Sequence, residues 1–505
     1  MKYLTSFFFA CLLLFAGSCN RTRDGEQRPN IIFILVDDLG WKDLGCYGSS
    51  FYETPHIDRL AGESMRFTDA YAACPVCSPT RASIMTGKYP ARTGITDWIP
   101  GRQAHAGPQP SDRLIPMEFD LDMDLEEVTL AEALKEAGYR TFFAGKWHLG
   151  EDSIYWPENQ GFDINKGGWS TGYPRGGYFS PYGNPRLASG PEGEHLTDRL
   201  TGESIRFMEE HLEEHGEKPF FLYLSFYAVH TPLQGKQELI GKYENKLKER
   251  GLDTVQMETT GREWIAHAPP RGRFVVRTRQ GHPVYAAMIE TLDHNIGRLT
   301  GAMEDLGLKE NTIILFMSDN GGLATAEGSP TSNLPLRAGK GWLYEGGIRE
   351  PMLIRWPGSG SEGTVCEVPV TSTDFYPTIL EMAGLEPRPD QHMDGISLSP
   401  LLSGDEIPEE RPLFWHYPHY SNQGGKPGAA IRLGDFKLIE FFEDSTLELY
   451  DLSRDPGEKQ NLAPEMPEKA EELQELLHRW QVKVDAEGME PNPGYDPDYT
   501  RDPDQ

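Results

Sequence analysis

The chain has 505 residues, 38% hydrophobic and 25% charged, with a formal net charge of −30. That is enough sequence for a large core and a second, smaller domain. The acidic balance excludes nucleic acid as a partner and a polybasic membrane patch, so any bound anion must be held by a local cluster of cations or metal.

Residues 1–19 read as an address. Lys2 precedes an apolar run from Phe7 to Phe15 and then Ala16-Gly17-Ser18-Cys19. The run is short for a membrane span and has the layout of a secretory signal. Small residues before a cysteine suggest lipoprotein processing, with Cys19 as the lipidated first residue. Ala16 stands where Leu is commoner, and ordinary cleavage nearby is the alternative. The expected compartment is the periplasm or outer membrane of a bacterium, with membrane attachment only through that lipid. Residues 20–28 read as a polar tether.

Asn30–Val36 is a continuous apolar run, the pattern of a strand buried on both faces. Asp37 and Asp38 end it. Carboxylates directly after a buried strand are costly unless they meet cations or water, which favours metal ligation over a plain turn. Residues 56–70 read as a helix. Cys77-Ser78-Pro79-Thr80-Arg81 reads as a helix start running to Gly87. Proline suits the first turn, and the free N–H groups and dipole there favour an anion. Arg81 lies one turn after Cys77 on the same face. Cys74 and Cys77 also form C-x-x-C, but no second such pair, close histidine pair or thioredoxin-like pattern accompanies them. The four cysteines after the leader, Cys46, Cys74, Cys77 and Cys366, are widely spaced and do not make a disulfide scaffold.

Residues 100–127 read as a long surface loop, and Thr129–Ala137 as a helix stopped by Gly138. The strand Tyr139–Ala144 leads into Lys146 and His148, two apart and so on one side of an extended segment. Residues 150–195, rich in Gly, Pro and Tyr, read as loops over the site, and Leu196–His211 as a helix. The strand Pro219–Tyr227 runs directly into His230. Residues 234–283 read as a long irregular insert. Its basic run, Arg271, Arg273, Arg277 and Arg279, is either a solvated loop or a grip on an acidic glycan. The helix Val284–Leu306 precedes the strand Asn311–Ser318, which ends in Asp319 and Asn320; Lys340 follows in a loop. From about residue 405 short strands joined by turns, then a helix over 466–483, indicate a small antiparallel sheet.

The expected fold is therefore α/β, with a large mostly parallel sheet sandwiched by helices and a smaller C-terminal antiparallel sheet plus helix. The expected limits are 29–404 for the catalytic domain, 405–488 for the C-terminal subdomain and 489–505 for a disordered polar tail. Ligands of open α/β sheets bind beyond the carboxyl ends of the strands, so Asp37/Asp38, Lys146/His148, His230 and Asp319/Asn320 should gather at one edge. Cys77 and Lys340 can reach it from loops. Such oxygen ligands suit calcium or magnesium, and the two histidines can move protons near neutral pH.

In order and approximate spacing, D-D, C-x-P-x-R, G-K-W-H, H-T-P, D-N-G and K-G-x-x-x-E-G-G-x-R-x-P resemble the type I sulfatases over residues 29 to about 485. The resemblance implies an alkaline-phosphatase-like fold. It implies that a maturation enzyme converts Cys77 to formylglycine, whose hydrate is the nucleophile. It places one calcium ion, with magnesium as the alternative, among Asp37, Asp38, residue 77, Asp319 and Asn320. Arg81 would steady the formylglycine and the metal side, while Lys146, His230 and Lys340 would bind sulfate oxygens. His230, helped by Lys340, would protonate the leaving alcohol, and His148 would help remove the proton from the second hydroxyl. The segment Glu327–Arg337 looks like exo-acting carbohydrate sulfatases for galactose or N-acetylgalactosamine sulfates, with Asn333 and Arg337 as candidate sugar contacts. Two competing readings stand beside this one. A phosphatase or phosphodiesterase of the same superfamily is disfavoured by the cysteine at 77 and the shortage of histidines for two metals. A non-catalytic glycan-binding lipoprotein would follow if Cys77 were never oxidised.

Overall fold

The computed structural model describes residues 27–260, 275–407 and 411–499. Among these, eleven strands precede residue 400: β1 (Asn30–Val36), β2 (Met65–Tyr71), β3 (Arg140–Gly145), β4 (Ile164–Lys166), β5 (Phe220–Ser225), β6 (Glu258–Thr260), β7 (Val275–Arg277), β8 (Thr312–Ser318), β9 (Arg349–Arg355), β10 (Val365–Cys366) and β11 (Val370–Thr371). Nine of them form one sheet in the order β10-β2-β9-β8-β1-β5-β3-β4, with β11 also on β2. The centre, β8-β1-β5-β3, is all parallel; Ile31 of β1 faces Phe221 on one side and Ile313 on the other. Only β9 runs antiparallel to its neighbours β8 and β2.

The apolar run of β1 is continuous because both faces are covered. Ile31, Phe33 and Leu35 pack towards helices Cys77–Thr86, Leu130–Glu136 and Phe375–Met382, and Ile32, Ile34 and Val36 towards helices Leu196–His215 and Pro283–Asp305. The helix at 130 begins with a capping box: Thr129 Oγ1 accepts from Glu132 N, and Glu132 reaches back to Thr129 N.

A second sheet, β12 (Leu413–Tyr417), β13 (Gly428–Leu433), β14 (Phe436–Phe441) and β15 (Thr446–Asp451), is an antiparallel meander. Its strands alternate. Phe414, Ala429, Ile431 and Leu438 pack on helix Pro467–Lys483, while Trp415, Ala430 and Ile439 pack on the segment Trp342–Ile348 of the large unit. Lys437 of β14 lies fully buried between Glu345 and Glu458, with Nζ–O distances of 3.0 and 2.9 Å. The small sheet is thereby fastened next to the loop that carries Lys340.

Three expectations are corrected. The helix expected over 56–70 ends at Gly62, and 65–71 is β2, whose alternating Met65 and Phe67 insert into the core as a strand. The insert at 234–283 contains an amphipathic helix, Gln237–Glu249, which buries Tyr243, and the pair β6–β7. In its basic run, Arg277 is buried and bound to Glu258 and to the Ser329 carbonyl, while Arg271 and Arg273 lie outside the described residues. The tail is ordered as far as 499: Asn492 donates to the Asp112 carbonyl at 2.8 Å, and Asp496 N to that of Pro110 at 2.7 Å. Among the described residues no helix is long and apolar enough to cross a membrane; the leader, with Cys19, lies outside them.

Candidate active site

Every strand of the parallel centre ends at the same edge, and each delivers its polar residues there. Asp37 and Asp38 follow β1, Asp319 and Asn320 follow β8, Lys146 and His148 follow β3, and His230 follows β5. Carboxylate oxygens of Asp37, Asp38 and Asp319 lie within 4.8 Å of one another, all buried. Asp38 and His148 are in the left-handed region at φ +60° and +61°. Strain of this kind, on the order of 1 kcal/mol per residue, persists where the surroundings over-determine a functional geometry.

Cys77 is the first residue of helix Cys77–Thr86, which is buried throughout and closed by Gly87 at φ +69°. Arg81 on its next turn donates to Asp319 Oδ2 from Nε (2.9 Å) and Nη2 (2.6 Å), and from Nη1 to Lys146 O and Ser225 Oγ. It ties the helix to three strand ends at once. Lys146 Nζ sits 2.7 Å from Asp37 Oδ2, and Lys340 Nζ 2.7 Å from Asp38 Oδ1.

The residues present fit a hard divalent cation. Asp37 Oδ1 and Asn320 Oδ1 are buried with no hydrogen-bond partner, an expensive state for isolated polar atoms. Burial pushes the Asp37 carboxyl well above the usual range, Lys146 offsets part of this, and Asp319 and Asp38 add to it. Positive charge among the three carboxylates would remove that opposition.

The two histidines are in different hands. The ring of His148 contacts the Ile99 carbonyl through Nε2, so Nε2 carries the proton and Nδ1, 3.4 Å from Cys77 Sγ, is left as an acceptor. Burial, then Lys146, holds this imidazole well below its ordinary pKa and hence neutral. His230 donates from Nδ1 to the Thr231 carbonyl (2.7 Å), which leaves Nε2 facing Asp38 at 3.8 Å. Burial, then Lys340, pushes its pKa down to about 4. Burial also raises the Cys77 thiol, partly offset by Lys146 and Lys340, so an unmodified thiol stays protonated and poorly nucleophilic at neutral pH.

Cys77, His148, His230 and Lys340 open into a cavity of about 470 Å³, whose walls include Trp98, Tyr173, Arg175, Glu327, Asn422 and Gln423. Its size suits a small ligand. A larger cleft of about 670 Å³, between Lys88–Thr96 and Lys483–Glu487, contains none of the strand-end residues. Neither Asn333 nor Arg337 lines the cavity, which corrects their expected role as sugar contacts. Asn333 is buried, and its amide donates to the carbonyls of Gly322, Ala338 and Gly346. Arg337 lies over the Tyr344 ring and donates to Tyr450 OH and the Glu458 carbonyl, bracing the small sheet. The aromatic and amide wall residues lie in aperiodic loops and carry no sequence signal of their own. Tyr173 and Arg175 lie in the 150–195 loops expected over the site, and Glu327 in the 327–337 segment expected to shape the pocket.

A parallel sheet whose strand ends hold clustered carboxylates, buried cations and two proton-handling histidines defines a hydrolase of anionic esters. The chain belongs to the sulfatase family: the family model "Sulfatase" matches residues 29–385, and that for the C-terminal part of N-sulphoglucosamine sulphohydrolase matches 338–485. It is accordingly a sulfuric ester hydrolase of alkaline-phosphatase-like fold. It is 32% identical to a sulfatase of Formosa agariphila over 93% of this chain and 92% of the relative. It is 32% identical to the N-acetylgalactosamine-6-sulfatase of Canis lupus familiaris, over 84% and 74%. The crystal structure of Ps i-CgsB in complex with k-i-k-neocarrahexaose aligns with a TM-score of 0.72 at 28% identity, covering 95% of this chain and 96% of the other.

Proposed function

We propose that the protein is an exported, exo-acting carbohydrate sulfatase, using formylglycine made from Cys77 by a maturation enzyme and one calcium ion, with magnesium as the alternative. The observation that carries this is the meeting of residue 77, at a helix start, with four oxygen-bearing side chains and two lysines at one sheet edge. Asp37, Asp38, Asp319 and Asn320 would hold the ion, which supplies positive charge for an ester oxygen and for an ionised hydroxyl. Formylglycine supplies, as its hydrate, the hydroxyl that a buried thiol does not.

The chain's own groups do the rest. Arg81 orients Asp319. Lys340 and Lys146 neutralise the sulfate oxygens. His230 Nε2 is the atom placed to pass a proton to the leaving alcohol, and an anionic ester bound beside it opposes the downward shift of its pKa. His148 Nδ1, fixed by the Ile99 carbonyl, is the base towards residue 77.

A sugar ester as substrate is supported by the names of the relatives, one an N-acetylgalactosamine-6-sulfatase and one in complex with k-i-k-neocarrahexaose. Sulfates of galactose or N-acetylgalactosamine are the proposed class. We also propose domain limits at 29–404 and 405–488, a signal over 1–19 with Cys19 lipidated, and a periplasmic or outer-membrane location. The test is protein co-produced with a maturation enzyme, with the mass of the peptide holding residue 77 measured and free sulfate followed on sulfated mono- and disaccharides. Correctly modified, calcium-loaded protein that releases sulfate from no ester would refute the proposal.

A further inference from the structure

Glu327 stands on the cavity wall in the left-handed conformation, at φ +52°. Its Oε2 accepts from Thr231 Oγ1 at 3.1 Å and its Oε1 from Gln423 Nε2 at 2.6 Å. Both braces are themselves fixed. Thr231 follows His230, whose Nδ1–H its carbonyl accepts. Gln423 is 3% exposed; its carbonyl accepts from Trp342 Nε1 (3.1 Å) and Thr325 Oγ1 (3.0 Å), and its side-chain oxygen from Ser421 Oγ (2.7 Å).

A negative charge is thus held beside the leaving-group side of a site that binds anions, where it works against sulfate. A carboxylate with two braces keeps lone pairs free for further donors. Sugar hydroxyls are donors of that kind, and Trp98 and Tyr173 on the same cavity offer apolar ring faces. A second sulfate or a carboxylate brought against Glu327 would meet like charge in a partly desolvated space, with Arg175 on the same cavity as the opposing cation.

Resting on the carbohydrate-sulfatase reading above, we propose that Glu327, braced by Thr231 and Gln423, determines specificity. It accepts hydrogen bonds from hydroxyls next to the sulfated position, and it excludes sugars carrying a second anionic group there. The substrate class is then a singly sulfated, terminal neutral sugar.

The experiment compares wild type, Glu327→Gln and Thr231→Val on four kinds of ester. These are phenyl sulfate, the 4- and 6-sulfates of galactose, the 4- and 6-sulfates of N-acetylgalactosamine, and N-acetylgalactosamine 4,6-disulfate. Wild type should prefer its best monosulfate over the disulfate by at least tenfold in kcat/KM. Glu327→Gln should lose at least tenfold more on that monosulfate than on phenyl sulfate, chiefly through KM, and should narrow the preference; Thr231→Val should shift the same way by less. Equal losses on sugar and phenyl esters, or an unchanged preference, would overturn the proposal. So would a wild type that cleaves phenyl sulfate but no sugar. Failure on every ester, with residue 77 shown to be modified, sinks the proposed function itself and this assignment with it.

Discussion

Gly172 lies flat against the imidazole of His148: a methyl group built on its α-carbon would fall 2.2 Å from Cε1 and 2.5 Å from Nε2 of the ring. Only a residue without a side chain lets the 170–173 loop close over this histidine. Gly172→Ala should therefore push the ring off the Ile99 carbonyl and away from residue 77. Displacement by about 1 Å costs roughly a hundredfold in rate when positioning carries the catalysis. Steady-state hydrolysis of phenyl sulfate should show the fall in kcat, with little change in thermal midpoint. An unchanged kcat would mean that His148 takes no part in turnover.

A divalent cation held among the carboxylates of Asp37, Asp38 and Asp319, as proposed, should stabilise the fold. Dialysis against EDTA should lower the thermal midpoint, and calcium should restore it. At a hundred times the dissociation constant, the ion adds about 2.7 kcal/mol. Asn320→Ala removes one orphaned oxygen and should raise the calcium concentration needed for half the effect by about tenfold, an order expected for weakened metal sites. Calcium titrations followed by scanning fluorimetry check both; a midpoint indifferent to calcium and magnesium would remove the metal from the site.

Asp97 is buried and bonded to Trp98 N and Tyr417 OH, and burial pushes its pKa up to about 7. The folded state therefore holds a proton that the unfolded chain releases near 3.8. The contribution is fully present below pH 3.8 and is lost as pH rises towards and through 7. Asp97→Asn keeps both hydrogen bonds without the ionisable proton. Its stability relative to wild type should rise between pH 5 and pH 8 by a few kcal/mol at most, since each tenfold difference in proton affinity is worth about 1.4 kcal/mol. Denaturant unfolding at the two pH values measures this, and parallel pH curves would contradict it.

Asn333 braces three carbonyls rather than touching sugar. Asn333→Ala removes a buried donor from all three, the Gly322 carbonyl keeping only Lys340 N, and should destabilise by about 1–3 kcal/mol. Its activity loss should be equal on phenyl and sugar sulfates. A loss confined to sugars would reinstate it as a substrate contact.

The four central strands are legible because each is a buried apolar run cut off by polar residues, and parallel topology alone then brings those residues together. Met65–Tyr71 reads as helix because its apolar residues continue the spacing set by Ile57, Leu60 and Ala61; only pairing with β9, β10 and β11 distinguishes strand from helix there. Asn333 has the look of an accessible polar residue in a loop, and its role depends on the carbonyls of Gly322, Ala338 and Gly346, which aperiodic chain brings together around it. Gln423 comes from the turn of another sheet, so no local pattern could place it on the cavity. The strand-end site is a property of order along the chain, whereas the walls are a property of packing between sheets.

Because Gln423 enters from the β12–β13 connection, one of the two braces of Glu327 stands on a different sheet from the strand-end residues. Lengthening or rewriting the stretch between Tyr417 and Gly428 can change the guest while the strand-end chemistry stays intact. Diversification towards new sulfated polymers would be expected to accumulate there first, and directed libraries confined to that turn are the economical place to look for altered selectivity.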